Sequence, residues 1–195
     1  MFRIRFRCLT RIYSTALTTA LAASLSGALP AAAEELHRIE GWVVSTADST
    51  IPFTDGVLDL RLTGRTTESD LVSYSLVARD DGERALRNRL ADEDLGRLAI
   101  GDELGLPIAL AVETRDEGLY HLLVVVDRQL DQREIFAATR SSRYPYTVLE
   151  LVVDADGYGF GELHTAARLR VSPDGKLSFD SLDPVPMKIL QVSPT

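Results

Sequence analysis

From Val57 to Thr63 the chain reads VLDLRLT, with Leu58, Leu60 and Leu62 on one face and Val57, Asp59, Arg61 and Thr63 on the other. A period of two predicts a half-buried β-strand. Similar patterns recur along most of the chain. Strands are expected at 37–46 around Trp42-Val43-Val44, at 71–78 (LVSYSLVA), at 108–114, and at 119–127. The last of these, LYHLLVVVD, is apolar on both faces and so belongs at the centre of a sheet. Further strands are expected at 146–153 (YTVLELVV), 160–171, 176–179 and 185–192, the last held to an edge by Pro184 and Pro186. Turn chemistry separates them: Asp55-Gly56, Arg115-Asp116-Glu117-Gly118 and Ser172-Pro173-Asp174-Gly175. Residues 129–144 read as a polar loop.

Only between Asp80 and Ala99 does the period change. Asp80-Asp81-Gly82-Glu83 has the spacing of a capping box, and Leu86 and Leu90 then stack four apart. Leu95, Leu98 and Ala99 form a second stripe that does not line up with the first. Two short helices are therefore expected, 81–91 and 93–99. The fold class that follows is α+β: a mainly antiparallel, strongly curled sheet of about seven or eight strands, barrel- or sandwich-like, with the helices covering one opening or face.

The N-terminus follows another rule. Arg3, Arg5, Arg7 and Arg11 precede an uncharged run from Ile12 to Leu29, then Pro30 and Ala31-Ala32-Ala33. A basic start, an apolar middle and a small-residue end form a secretory signal peptide. Residues 1–33 are thus read as a leader and 34–195 as one exported β-rich domain, in the periplasm or outside the cell, with no membrane span once the leader is cleaved. Removing the leader's four arginines from 21 basic residues leaves 17 against 29 acidic ones, a net charge of −12. It also removes Cys8, the only cysteine. An acidic chain without a basic stripe points away from nucleic acid and anionic membrane surfaces.

The segment 76–192 resembles a family of uncharacterised exported bacterial proteins. The similarity rests on Asp80-Asp81-Gly82-Glu83-Arg84 with Leu86 and Leu90, on Val126-Asp127-Arg128, and above all on Arg140-Ser141-Ser142-Arg143-Tyr144-Pro145-Tyr146-Thr147-Val148-Leu149-Glu150-Leu151. It continues through Asp154, Gly157, Gly159, Gly161 and Ala166-Ala167-Arg168-Leu169 to the closing Asp183–Val192 segment. Gln129 stands where the family favours proline. The resemblance implies export and this fold class, and no substrate.

Several stretches carry candidate chemistry. DADGYGFGE, 154–162, has the glycines of a phosphate loop but is followed by a strand, not by the helix N-terminus such a loop needs. Aligned to an EF-hand, it puts Tyr158 and Thr165 where ligands belong. It reads first as a hairpin turn. A looser calcium site of Glu150, Asp154, Asp156 and Glu162 stays open. A zinc site would need His37, His121 and His164 together, or carboxylates brought in by the fold, and each histidine reads first as a partly buried strand residue. Neither a cofactor nor a metal is assigned. Arg140, Tyr144 and Tyr146, with Asp127, form the candidate ligand-binding set. Two arginines and two phenols at a loop-to-strand junction can grip an anionic or sugar-like ligand. The bland alternative is that Pro145 fixes how the chain enters the strand, the tyrosines pack on the core, and Arg140 pairs with Asp127. Ser141 or Ser142 with a histidine and Asp127 would be needed for nucleophilic catalysis, but neither serine sits in a G-x-S-x-G elbow. Two functions follow: a non-enzymatic exported domain that binds a small ligand or an envelope protein, and, as the alternative, a hydrolase of an envelope or extracellular substrate. Whether the chain is an enzyme stays undecided at this level.

Overall fold

The computed structural model describes residues 37–45, 55–101, 105–129, 143–172, 174, 176–182 and 185–195. Among these residues nine strands and two helices follow one another as β1 (His37–Val44), β2 (Gly56–Leu62), α1 (Glu68–Asp80), α2 (Glu83–Ala91), β3 (Gly96–Ile100), β4 (Leu106–Asp116), β5 (Leu119–Val126), β6 (Tyr146–Val153), β7 (Gly159–Val171), β8 (Leu177–Ser181) and β9 (Met187–Pro194). Every strand pairing among the described residues is antiparallel, and the order β6-β5-β4-β3-β2-β1-β9-β7 closes on itself because β6 also pairs with β7. The sheet is therefore an eight-stranded closed barrel, with β8 added as a ninth strand on β7. Of the two architectures the alternation allows, the barrel is the one formed.

Closure follows from the length of β7. Its first half pairs with β9, through Gly159↔Val192 and Leu163↔Met187, and its second half pairs with β8, through Ala167↔Ser181 and Val171↔Leu177. On its other edge β7 pairs with β6 along most of its length. The pairing of Val148 with His164 but Tyr146 with Ala167 places a bulge at Thr165-Ala166. The bulge inverts the alternation. Leu163 faces the barrel interior, whereas Glu162, His164, Ala167 and Leu169 all face outward.

The inward positions form one apolar cluster, including Leu58, Leu60 and Leu62 from β2, Ile108, Val124 and Val126 from β4 and β5, Leu149 and Leu151 from β6, and Ile189 from β9. These side chains are nearly inaccessible and meet across the barrel, so the interior is filled by the chain itself. A second cluster lies outside the wall. Leu71 and Tyr74 of α1 and Leu86 and Leu90 of α2 cover Ala109, Leu110, Val125, Tyr146, Val148, Ala167 and Leu169, so the helical hairpin shields the outer wall of β4 to β7. This double burial explains why β5 is apolar on both faces.

Three sequence expectations are corrected. The last strand, expected at an edge, runs instead as β9 between β1 and β7, with Pro186 just ahead of its first residue. Residues 71–78 are not a strand but the heart of α1, and residues 93–99 are not a helix but lead into β3. LVSYSLVA satisfies both periods. Its buried positions, Leu71, Tyr74 and Ser75, have the i, i+3, i+4 spacing of a helix face. The start of α1 is fixed upstream, where Thr67 Oγ accepts from the Asp70 N–H and the Asp70 carboxylate accepts from the Thr67 N–H. The cap expected at Asp80 is also displaced. Asp80 is the last residue of α1, and Gly82 is the N-cap of α2, with no side-chain bond. Leu98 and Ile100 are drawn into the interior because β3 must complete the ring between β2 and β4, and this tertiary demand outweighs local helix propensity.

Candidate functional site

The residues singled out at the start of β6 separate into two groups. Arg140, Ser141 and Ser142 lie outside the described residues. Asp127, at the end of β5, receives an ion pair from Arg87 Nε of α2 at 3.2 Å. Burial pushes its carboxyl above the ordinary carboxylate range, with Arg87 opposing the rise. Tyr146 is fully buried beneath the helical hairpin, and its hydroxyl has no hydrogen-bond partner among the described residues. Burial, reinforced by the nearby Asp127 charge, drives its pKa far up. Tyr144 is half-buried, and its carbonyl accepts from Gln129 Nε2 at 2.6 Å. The structure thus brings Asp127 and Tyr146 together, but as the lining of a helix–sheet contact. Pro145 is buried beside them, as expected of a residue that fixes the strand's start.

The alternating glycines resolve in the same way. Asp154 accepts from the backbone N–H groups of Asp156 and Tyr158 through one carboxylate oxygen, both at 2.9 Å, and Gly157 N–H bonds to the Asp154 carbonyl. This is the β6–β7 hairpin turn. Gly159 and Gly161 follow because β6 presses against them. A Cβ at Gly159 would lie 1.9 Å from the Val152 carbonyl oxygen, and one at Gly161 would lie 2.2 Å from that of Glu150. One oxygen of the Asp154 carboxylate is thus committed to the turn.

The described histidines stand on different strands. His37 on β1 meets Glu113 Oε2 at 3.1 Å and the Arg65 guanidinium at 2.6 Å. His121 on β5 sits opposite Val152. His164 is the unusual one. It is only 8% exposed, neither ring nitrogen has a hydrogen-bond partner among the described residues, and its ring meets Phe179 of β8 edge-on at 4.8 Å. Its Nε2 faces Glu150 Oε2 at 3.6 Å and Glu162 Oε2 at 3.9 Å, too long for hydrogen bonds. Glu150 and Glu162 are direct cross-strand partners, and Glu162 is in turn opposite Lys188, which pairs with its other oxygen, Oε1. The sequence pattern placed Glu150 and Glu162 in one candidate oxygen site but did not join His164 to them. The bulge at Thr165-Ala166 shifts register in a way that alternation alone does not reveal.

Two further features lie on the surface. A groove of about 480 Å³ runs between the helical hairpin and β7. Its arginines are already engaged: Arg168 makes a forked bond to Glu83 at 2.9 and 3.0 Å, Arg79 pairs with Asp80 and Arg170 with Asp180. On the wall that the helices leave bare, Val57, Trp42 and Leu190 stand side by side on β2, β1 and β9, each more than two-fifths exposed. Phe160 of β7, 61% exposed, projects outward between Gly159 and Gly161, across from the Leu190-Gln191 bulge. The charged cluster of Arg38, Asp59 and Arg61 borders this apolar row. Compared with known proteins, the chain matches no family model, no curated protein and no solved structure.

Proposed function

We propose that this chain is an exported, non-enzymatic binding domain that meets a protein partner of the cell envelope on the bare outer wall of its barrel. The observation that carries the reading is the pairing of a filled interior with the exposed row Val57–Trp42–Leu190–Phe160. A barrel that holds a small ligand keeps its centre open, and here apolar side chains of the strands occupy the centre. An aromatic and aliphatic row spanning four strands, with charge at its border, has the composition of an interface core and rim. The acidic balance of residues 34–195 directs the choice toward a protein and away from nucleic acid or an anionic membrane. Export rests on the leader-like first 33 residues.

Trp42 is the single tryptophan of the chain and lies within the row, so its emission reports directly on whether the row is covered. The mature protein, 34–195, isolated from the exported fraction of its own cells, is examined by native and denaturing mass spectrometry, and its Trp42 emission is compared with that of the Leu190→Glu variant. The expected result is a second polypeptide in the native spectrum, blue-shifted Trp42 emission in its presence, and loss of both in Leu190→Glu with an unchanged unfolding midpoint. A small-molecule adduct that survives in Leu190→Glu, or turnover of an envelope substrate, would overturn the reading, and turnover would establish the hydrolase in its place.

A further inference from the structure

We propose that Glu150, Glu162 and His164 form a binding site for a first-row divalent metal ion of the zinc class, on the outer wall where β7 leaves β9 and takes up β8. The site is distinct from the partner-binding row and does not depend on it.

The backbone sets the arrangement. Glu150 and Glu162 are opposite each other across β6 and β7, and His164 is two residues further along the same face of β7. Two carboxylates in direct cross-strand register repel each other, and the sheet bears that cost unless a cation lies between them. Lys188 answers part of the charge, but it does so from the β9 side and on Glu162 Oε1. The Oε2 atoms of both glutamates are left turned toward His164 Nε2.

His164 supplies the independent observation. A buried imidazole with two unpartnered nitrogens is an unmet polar group, and such groups in folded proteins nearly always have a partner. Phe179 holds the ring by its edge and β8 covers it, so the ring is fixed in place while Nε2 stays aimed at the carboxylates. One ligand atom from each of the three residues lies within 4.8 Å of the others. Bonds of about 2.0–2.2 Å to a tetrahedral ion put its ligands roughly 3.3 Å apart. The contacts of His164 Nε2, at 3.6 and 3.9 Å, are a little wider than that. Small rotations of the two half-exposed glutamates close the difference, while the buried histidine stays still. The fourth position opens to solvent on the glutamate side and takes a water.

Ligand type selects the metal. Imidazole with carboxylates suits zinc and its first-row neighbours, whereas calcium takes six to eight oxygens and makes no use of an imidazole. The loop that might have added oxygens commits one oxygen of Asp154 to its own backbone.

The experiment uses the mature chain stripped with chelator and titrated with Zn²⁺ by calorimetry, with Co²⁺ absorption as a spectroscopic check and Ca²⁺ as the comparison ion. The expected result is one equivalent of Zn²⁺, a raised unfolding midpoint, a Co²⁺ spectrum of low coordination number, and a shift of the His164 Nε2 resonance. Glu150→Gln and His164→Gln should each weaken Zn²⁺ by at least about tenfold, the scale of losing a ligand or its support. Glu150→Gln changes an exposed oxygen to an amide and leaves the fold intact, so the test stands even if His164→Gln does not fold. Equal Zn²⁺ binding by wild type and Glu150→Gln, no saturable binding at all, or Ca²⁺ binding as tightly as Zn²⁺ would each overturn the proposal.

Discussion

Tyr146 shows how a residue that looks like a ligand contact becomes a structural one. Its position beside Pro145 and its phenol suggested binding chemistry, but β6 turns it beneath α2, where it is wholly inaccessible. Its hydroxyl has no partner among the described residues, and a buried unmet polar group costs about 1–3 kcal/mol. Tyr146→Phe keeps the ring and removes the hydroxyl. The variant should unfold at higher denaturant, with a gain of about 1 kcal/mol in chemical denaturation. A loss of stability would mean that the hydroxyl has a partner and that the helix–sheet contact is wetter than described. Much at this scale was legible in sequence. Asp154 and the glycines after it announced a turn, because a short carboxylate folds back on the backbone and only glycine fits where strands press together. His164 was not legible. Its significance depends on Glu150, Glu162 and Phe179, which come from three strands.

Among the elements, α1 was the hardest to read and is the best capped. A short apolar run such as LVSYSLVA fits both a period of two and a period of 3.6, so the boundary signal decides. That signal was present in Thr67-Glu68-Ser69-Asp70, where aspartate takes the place of the usual glutamate of a capping box. The strand reading of 71–78 failed by weighing the pattern over the cap, and the helix reading of 93–99 failed because β3 is required by its neighbours. Thr67 and Asp70 are linked through three hydrogen bonds of 2.7 to 3.2 Å. Thr67→Ala should therefore cost about 1 kcal/mol near neutral pH. The bonds from Thr67 hold the Asp70 carboxyl below its usual pKa. A carboxylate whose folded pKa is depressed contributes stability above its unfolded pKa and loses it as pH falls through the folded value. The gap between wild type and Thr67→Ala should accordingly narrow in acid, below the ordinary carboxylate range. Denaturation curves at neutral and acid pH measure both effects, and a gap that widens in acid would refute the assignment.

For the molecule as a whole, the closed ring makes its weakest seam decisive, because a barrel opens where two neighbours hold each other least. That seam is β3–β4. Its ladder pairs only Arg97 with Pro107 and Leu98 with Leu106, and proline has no N–H to give. By contrast, β4–β5 and β5–β6 pair along nearly their full lengths. The rest of the β4 edge is held by substitutes. Leu95 N–H bonds to the Ile108 carbonyl and Thr66 N–H to that of Ala111, while Ala111 N–H bonds to the Thr66 hydroxyl. Farther along, Glu113 gathers Arg65 at 2.9 Å and His37 at 3.1 Å, so a side-chain cluster ties β4 to the start of β1 where the ladder has run out. Amide hydrogen exchange under native conditions should find the first opening here, with the amides of Leu95 and Ala111 exchanging well before those of β5 and β6. Glu113→Gln removes the charge that holds Arg65 and should lower the opening free energy at these amides by about 1 kcal/mol, while leaving the exchange of β5 and β6 amides close to wild type. If the seam and the central strands instead exchange together and respond equally to Glu113→Gln, the barrel opens only by global unfolding, and the cluster contributes to the whole rather than to one joint.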